Sequence, residues 1–248
     1  MLPAQKVLRK FATLENKRIN EWFFKTGKGE YGYGDRFIGV KIPENRKVAR
    51  QFSALPLRDL KTLLNSPIHE DRALALLILG PRFEIALKTK NKPLQKKLFE
   101  FYFSNRHRVN NWDLVDLSAP SIAGAFAFHN PSARKKFLSL ASSKSMWDRR
   151  IAMVGTFYFI RNERFKETLQ LAEKILKDPE DLMHKATGWM LREVGKRDLT
   201  ALRAFLDIHA STMPRTMLRY AIEKMNTSER KRYLARRIKS SRPDSLRA

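Results

Sequence analysis

The chain has 248 residues, 43% of them hydrophobic, and its 50 lysines and arginines outnumber its 25 aspartates and glutamates to leave a net charge of +25. That apolar fraction is enough for a packed core and excludes a disordered basic tail, while the length suits one large domain or two small ones. The absence of cysteine excludes a disulfide framework, a thiolate metal site and a cysteine nucleophile, and the five histidines are too scattered to read as a zinc cluster.

From the N-terminus, MLPAQKVLRKF shows neither an apolar core nor a small-residue cleavage site, so a cytoplasmic protein without a secretory signal is expected. Five of the ten glycines then fall between Gly27 and Gly39, in GKGEYGYGDRFIG. No serine or threonine follows Lys28 and no strand pattern precedes it, so a flexible surface loop is expected in preference to a nucleotide loop. Its glycines would still let backbone amides near Lys28, Arg36 and Lys41 approach a phosphate. Ser66-Pro67 is expected to open a helix that Gly80-Pro81 ends, with Leu74 to Leu79 apolar all round, as in a helix buried between others. The longest apolar run, Ala73 to Leu79, is far shorter than the ~20 residues a bilayer requires, so no membrane partner is expected.

Further on, Asn130-Pro131, Asp178-Pro179 and Met213-Pro214 are expected to open helices. Trp147, Ile151, Val154 and Tyr158 form one helical stripe, and Leu182, Ala186 and Trp189 another. The pattern predicts about a dozen helices of ~10–17 residues and no alternating strand, hence an all-α fold. Trp112, Trp147 and Trp189 lie 35 and 42 residues apart, near the period of stacked two-helix HEAT repeats. The expected architecture is a curved right-handed solenoid of HEAT-like repeats with a basic concave face. A single repeat domain over 1–225 would be followed by a basic C-terminal helix or tail over 226–248.

The charge points to a polyanion, because each lysine or arginine that meets a phosphate releases condensed counterions. Anionic membrane would favour one basic amphipathic helix, whereas here the cations are spread along the chain, and a merely solvated surface would be strained by its own repulsion. Charge alone does not separate DNA from RNA.

The segment NNWDLVDLSAPSIAG is the richest in potential chemistry. With Asn110 or Asn111 as N-cap, Trp112 and Asp116 share one helix face at i and i+4. Asp113, in the first turn, already has a structural role against the helix dipole, whereas Asp116 is not explained by capping and is either an ion-pair partner or a catalytic carboxylate. In WDRRIAMVGTFYFIRN, Arg150 lies beside the apolar stripe and Arg149 off it, so one of the two is expected to face phosphate or Asp116. In KATGWMLREVGK, Gly188 leaves room for a neighbouring backbone or ligand, and Arg192 follows Trp189 at i+3. Each tryptophan has core packing as its alternative fate.

Taken in order, NNWDLVDLSAP, SMWDRRIAMV and HKATGWMLREVGK, with RFIGVKIPENRK before them and MPRTMLRYAIEKM after, resemble the AlkD-like DNA alkylation-repair glycosylases built of HEAT-like repeats, from about Phe23 to Met225. The resemblance implies a catalytic carboxylate at Asp116, deoxyribose-contacting tryptophans at Trp112 and Trp189, and an active-site arginine at Arg150. It implies excision of cationic N3- or N7-alkylated purines from duplex DNA without base flipping. No metal or organic cofactor is called for, and a monomer bound to duplex DNA is expected. Arg36, Lys41, Arg46 and Arg192 are the expected DNA contacts. The family's N-terminal tyrosine has no evident counterpart in EWFFKTGKGEYGYG, where Trp22, Phe23, Phe24, Tyr31 or Tyr33 would take its place. A non-enzymatic binder of duplex DNA or structured RNA, with its tryptophans in the core, is the alternative, and a protein-scaffolding solenoid a third reading.

Overall fold

The structure, a computed structural model, describes residues 1–236. Its contacts divide the chain into two compact units, with the boundary between Leu140 and Ala141. The all-helical expectation holds, but the helices are more numerous and less uniform than expected: among the described residues there are sixteen, from 5 to 20 residues long, with one long link between Phe23 and Ile42, and no strand, only an isolated bridge between Arg36 and Ile68.

The first unit contains α1 (Pro3–Arg9), α2 (Leu14–Phe23), α3 (Ile42–Gln51), α4 (Leu57–Leu64), α5 (His69–Lys88), α6 (Lys92–Ser104), α7 (Trp112–Ser118), α8 (Ala125–His129) and α9 (Pro131–Ser139). Helix α5 is its axis, and α3, α4, α6 and α7 all pack against it. Leu74, Leu76, Ile78, Leu79 and Phe83 are buried there, as the all-apolar run requires. Gly80-Pro81 does not end this helix, contrary to expectation, and α5 continues to Lys88. Pro81 withdraws only the amide that would meet the Leu77 carbonyl, and the buried Leu79, Phe83 and Ala86 hold both halves in line. The start is also displaced. Ser66 does not cap the helix; its hydroxyl donates to Asp71 Oδ2 at 2.7 Å and accepts from the Ile68 amide at 3.1 Å, and α5 opens at His69.

The glycine-rich segment is an exposed surface loop around Lys28 to Glu30, but its C-terminal end is anchored. Glu70, buried at the start of α5, receives the amides of Ile38, Gly39 and Val40 on its carboxylate at 2.8–3.2 Å. The cluster of N–H groups that could have met a phosphate there is thus already filled by a protein anion. Gly39, at φ 83°, lies so close to α2 that a β-carbon would fall 2.1 Å from the Thr13 carbonyl oxygen.

The second unit contains α10 (Met146–Gly155), α11 (Phe157–Arg161), α12 (Lys166–Lys174), α13 (Asp181–Gly195), α14 (Leu199–His209), α15 (Arg215–Ala221) and α16 (Thr227–Ala235). Helix α13 is its axis, packed by α10, α12, α14 and α15. Gly188 explains the closest of these approaches, because a β-carbon there would lie 2.5 Å from the Met217 carbonyl oxygen. The space Gly188 leaves is taken by α15. Of the expected C-terminal segment, α16 is present to Ala235, and residues 237–248 lie outside the described residues. No described helix is long and apolar enough to cross a membrane.

Candidate active site

Asn111 is the N-cap of α7: its side-chain oxygen accepts the Trp112 amide at 2.7 Å. The helix then carries Trp112 and Asp116 one turn apart, both half-buried. After Ser118 the chain does not turn away. It passes through a π-helical turn, Pro120–Gly124, directly into α8, with the Gly124 amide reaching the Ala119 carbonyl five residues back at 2.8 Å. Pro120 withdraws the amide that an unbroken α-helix would have sent to the Asp116 carbonyl.

Trp112 is held by aromatic neighbours. Its ring stacks on Phe24 at 5.2 Å and meets Phe23 edge-on at 5.7 Å, while its indole N–H donates to Tyr31 Oη at 3.2 Å. Of the N-terminal aromatics, Phe23, Phe24 and Tyr31 therefore take positions against Trp112, while Trp22 (80% exposed) and Tyr33 are open to solvent.

Beneath this cluster lies a buried charge network that sequence reasoning missed. His69, 3% exposed, sits between two carboxylates, with Nδ1 2.9 Å from Asp35 Oδ2 and Nε2 2.8 Å from Asp113 Oδ2. Arg72 donates to Asp35 Oδ1, and Asn111 Nδ2 donates to Asp35 Oδ2 at 3.0 Å. Burial opposes charge on His69, but the Asp113 and Asp35 carboxylates outweigh it and push the imidazole up to about 9. Burial likewise opposes charge on Asp35, yet His69 and then Arg72 bring it down to about 2. Asp113, expected to serve only the helix dipole, also ties α7 to α5; its other oxygen accepts the Leu114 amide at 2.8 Å.

In the second unit, Arg150 on α10 is 5% exposed and donates to the Leu182 carbonyl of α13 at 2.7 Å. Arg149 is committed elsewhere, to both oxygens of Asp178 at 2.6 and 3.0 Å and to the Ser143 and Lys144 carbonyls. Trp189 is half-buried, its indole N–H donating to Glu193 Oε1 at 3.2 Å and its ring tilted against Phe157. Arg192 pairs with Glu223.

Arg36, Lys41 and Arg46 are exposed, all in the first unit. Arg46 and Arg50 also line a cleft of about 440 Å³, together with Gly80 and Pro81 of α5 and with Leu117 and Ser121. Leu117 directly follows Asp116. Thus the structure brings Trp112 and Asp116 together on one helix, with the Arg46 cleft beside the next residue. It places Arg150 and Trp189 on two packed helices of the other unit. No group of three or more metal-ligating side chains able to hold an ion is found among the described residues.

Stacked helices with half-buried indoles, a carboxylate one turn from one of them and exposed cations nearby define a HEAT-like helical-repeat protein with a candidate nucleic-acid site. The model of the DNA alkylation repair enzyme family matches residues 4–225, and the chain belongs to that family. Among solved structures it is similar to one described as "Predicted DNA alkylation repair enzyme from Enterococcus faecalis", with a TM-score of 0.66 at 13% identity, over 87% of this chain and 97% of that one. Comparison with curated proteins finds no match.

Proposed function

We propose that this member of a DNA alkylation repair family is a glycosylase that hydrolyses the N-glycosidic bond of cationic N3- or N7-alkylated purines in duplex DNA. Alkylation puts a positive charge on the base, so the bond breaks with its electron pair returning to the purine, which leaves neutral. No general acid is required at the leaving group, unlike the two-carboxylate chemistry of ordinary glycosides. The protein's task is to stabilise the cationic sugar and direct water to C1′. Asp116 does the first by its charge and the second by accepting the water's hydrogen bond and proton. The abasic site and the free base are the products. The face of Trp112 adds cation–π attraction to the sugar. The family resemblance gives Trp189 a contact to the sugar and makes Arg150 the active-site arginine, either on a flanking phosphate or holding Asp116 ionised. Arg36, Lys41 and Arg46 are proposed phosphate contacts, with Arg192 less available because of Glu223.

The observation that carries this reading is the pairing on α7: an indole and a carboxylate one turn apart and half-exposed, on a helix whose first turn is anchored from beneath. The test is single-turnover release of 7-methylguanine and 3-methyladenine from methylated duplex DNA at high enzyme. Asp116→Asn should bind duplex DNA as well as the wild type and release base at least about a hundredfold more slowly. Duplex binding with no base release from wild-type protein would instead favour a non-enzymatic binder.

A further inference from the structure

The proposed chemistry uses Trp112 and Asp116 but not the buried ions beneath them, and those ions carry a further inference. His69 begins α5, Asp35 belongs to the glycine-rich segment, and Asp113 belongs to the first turn of α7. The imidazole is thus the point at which three parts of the first unit are joined. A neutral imidazole has one N–H and satisfies one of the two carboxylates, whereas an imidazolium donates to both. The groups facing it are Asp35 from the loop, Asp113 from α7, and Arg72 on its own helix through Asp35; Arg108 acts electrostatically on Arg72 and Asp35. With His69 charged, His69 and Arg72 balance Asp35 and Asp113. With it neutral, a largely buried carboxylate loses its charged partner, which is costly at low exposure to solvent. The rings of Phe37 and Phe24 lie against the imidazole at 4.5 and 5.1 Å, and Phe24 in turn stacks on Trp112.

We propose that His69 is a positioning residue for base excision: as an imidazolium bridging Asp35 and Asp113, it fixes the first turn of α7 and, through it, the placement of Trp112 and Asp116. This rests on the reading that α7 carries the catalytic carboxylate. The side chain touches neither DNA nor the reacting atoms, so its loss should alter rate more than binding.

His69→Gln, which keeps a hydrogen-bonding side chain but cannot bridge as a cation, is compared with wild type in three measurements. Single-turnover base release at saturating enzyme should fall on the order of tenfold to a hundredfold, while affinity for intact duplex changes by less than about threefold. The wild-type rate should fall as pH rises through about 9, and that step should be missing from the variant. The Trp112 indole N–H resonance, assigned by its loss in Trp112→Phe, should shift in His69→Gln. A folded His69→Gln protein with wild-type rate and an unmoved indole resonance overturns the proposal. If His69→Gln does not fold, Asp113→Asn, which removes the charge from the α7 side of the bridge, must show the same split between rate and affinity, and its failure to do so overturns the proposal. If wild-type protein releases no base, the glycosylase reading fails by itself. The indole resonance and the ¹⁵N shifts of His69, with both ring nitrogens protonated at neutral pH, still decide the positioning claim: an unmoved resonance or a single ring proton sinks it.

Discussion

His69 and Asp35 make the stability of the first unit depend on pH in opposite senses. His69 is raised from 6.5 unfolded to about 9 folded, so its contribution is complete below 6.5 and is lost as pH rises through 9. Asp35 is lowered from 3.8 to about 2, so its contribution is present above 3.8 and is lost as pH falls through 2. Thermal melts should therefore show Tm falling between pH 6.5 and 9 in the wild type, and a flatter curve over that window in His69→Gln. Parallel curves would mean that the imidazole does not titrate as described. Trp112 and Asp116 were legible in the sequence because a helix turns spacing into adjacency: four residues apart means one face. The network beneath was not. His69 meets partners 34 and 44 positions away, and no local period encodes such meetings. The only hint was a lone aspartate inside the glycine-rich segment, next to the arginine chosen as a phosphate contact.

Helix ends were read less well than helix interiors, for a physical reason. Proline marks an expected break only where packing leaves the chain free to take it. Asn130-Pro131 behaves as expected, with Pro131 at the first position of α9, whereas α5 runs through Pro81 because Ile78 and Leu79 before it and Phe83 and Ala86 after it are buried. The end of the glycine-rich segment is held for a related reason: Glu70 gathers the amides of Ile38 and Gly39, and composition says nothing of a partner more than thirty residues away. Gly188, seen in the sequence as room for a neighbour, is fully used by α15. Gly188→Ala should destabilise the protein by about 1–3 kcal/mol, because a β-carbon 2.5 Å from the Met217 carbonyl oxygen and from Tyr220 Cβ forces α13 and α15 apart. A lowered denaturant midpoint checks this; an unchanged midpoint would mean that the packing relaxes freely.

Across the molecule, a surplus of +25 does two kinds of work. Several arginines are spent on carbonyls at or near helix ends. Arg108 donates to the carbonyls of Leu64, Asn65 and Ser66, Arg134 to those of Ala127 and Phe128, and Arg215 to Leu234. Sequence alone counts these with the rest, since a capping arginine and a phosphate-binding one are the same letter. The exposed cations, Arg36, Lys41 and Arg46 among them, are the ones expected to govern affinity for DNA. Binding to duplex should weaken linearly in log–log terms with added salt, and Arg46→Ala should reduce that slope by about one unit without regard to sequence. An unchanged slope would remove Arg46 from the interface. Beyond affinity lies the chemistry, and the most direct test of it is the rate at which saturating wild-type and Asp116→Asn proteins liberate free base from methylated duplex. The account predicts prompt release by the first and release at least about a hundredfold slower from the second at equal DNA occupancy. Equal rates from the two would contradict it.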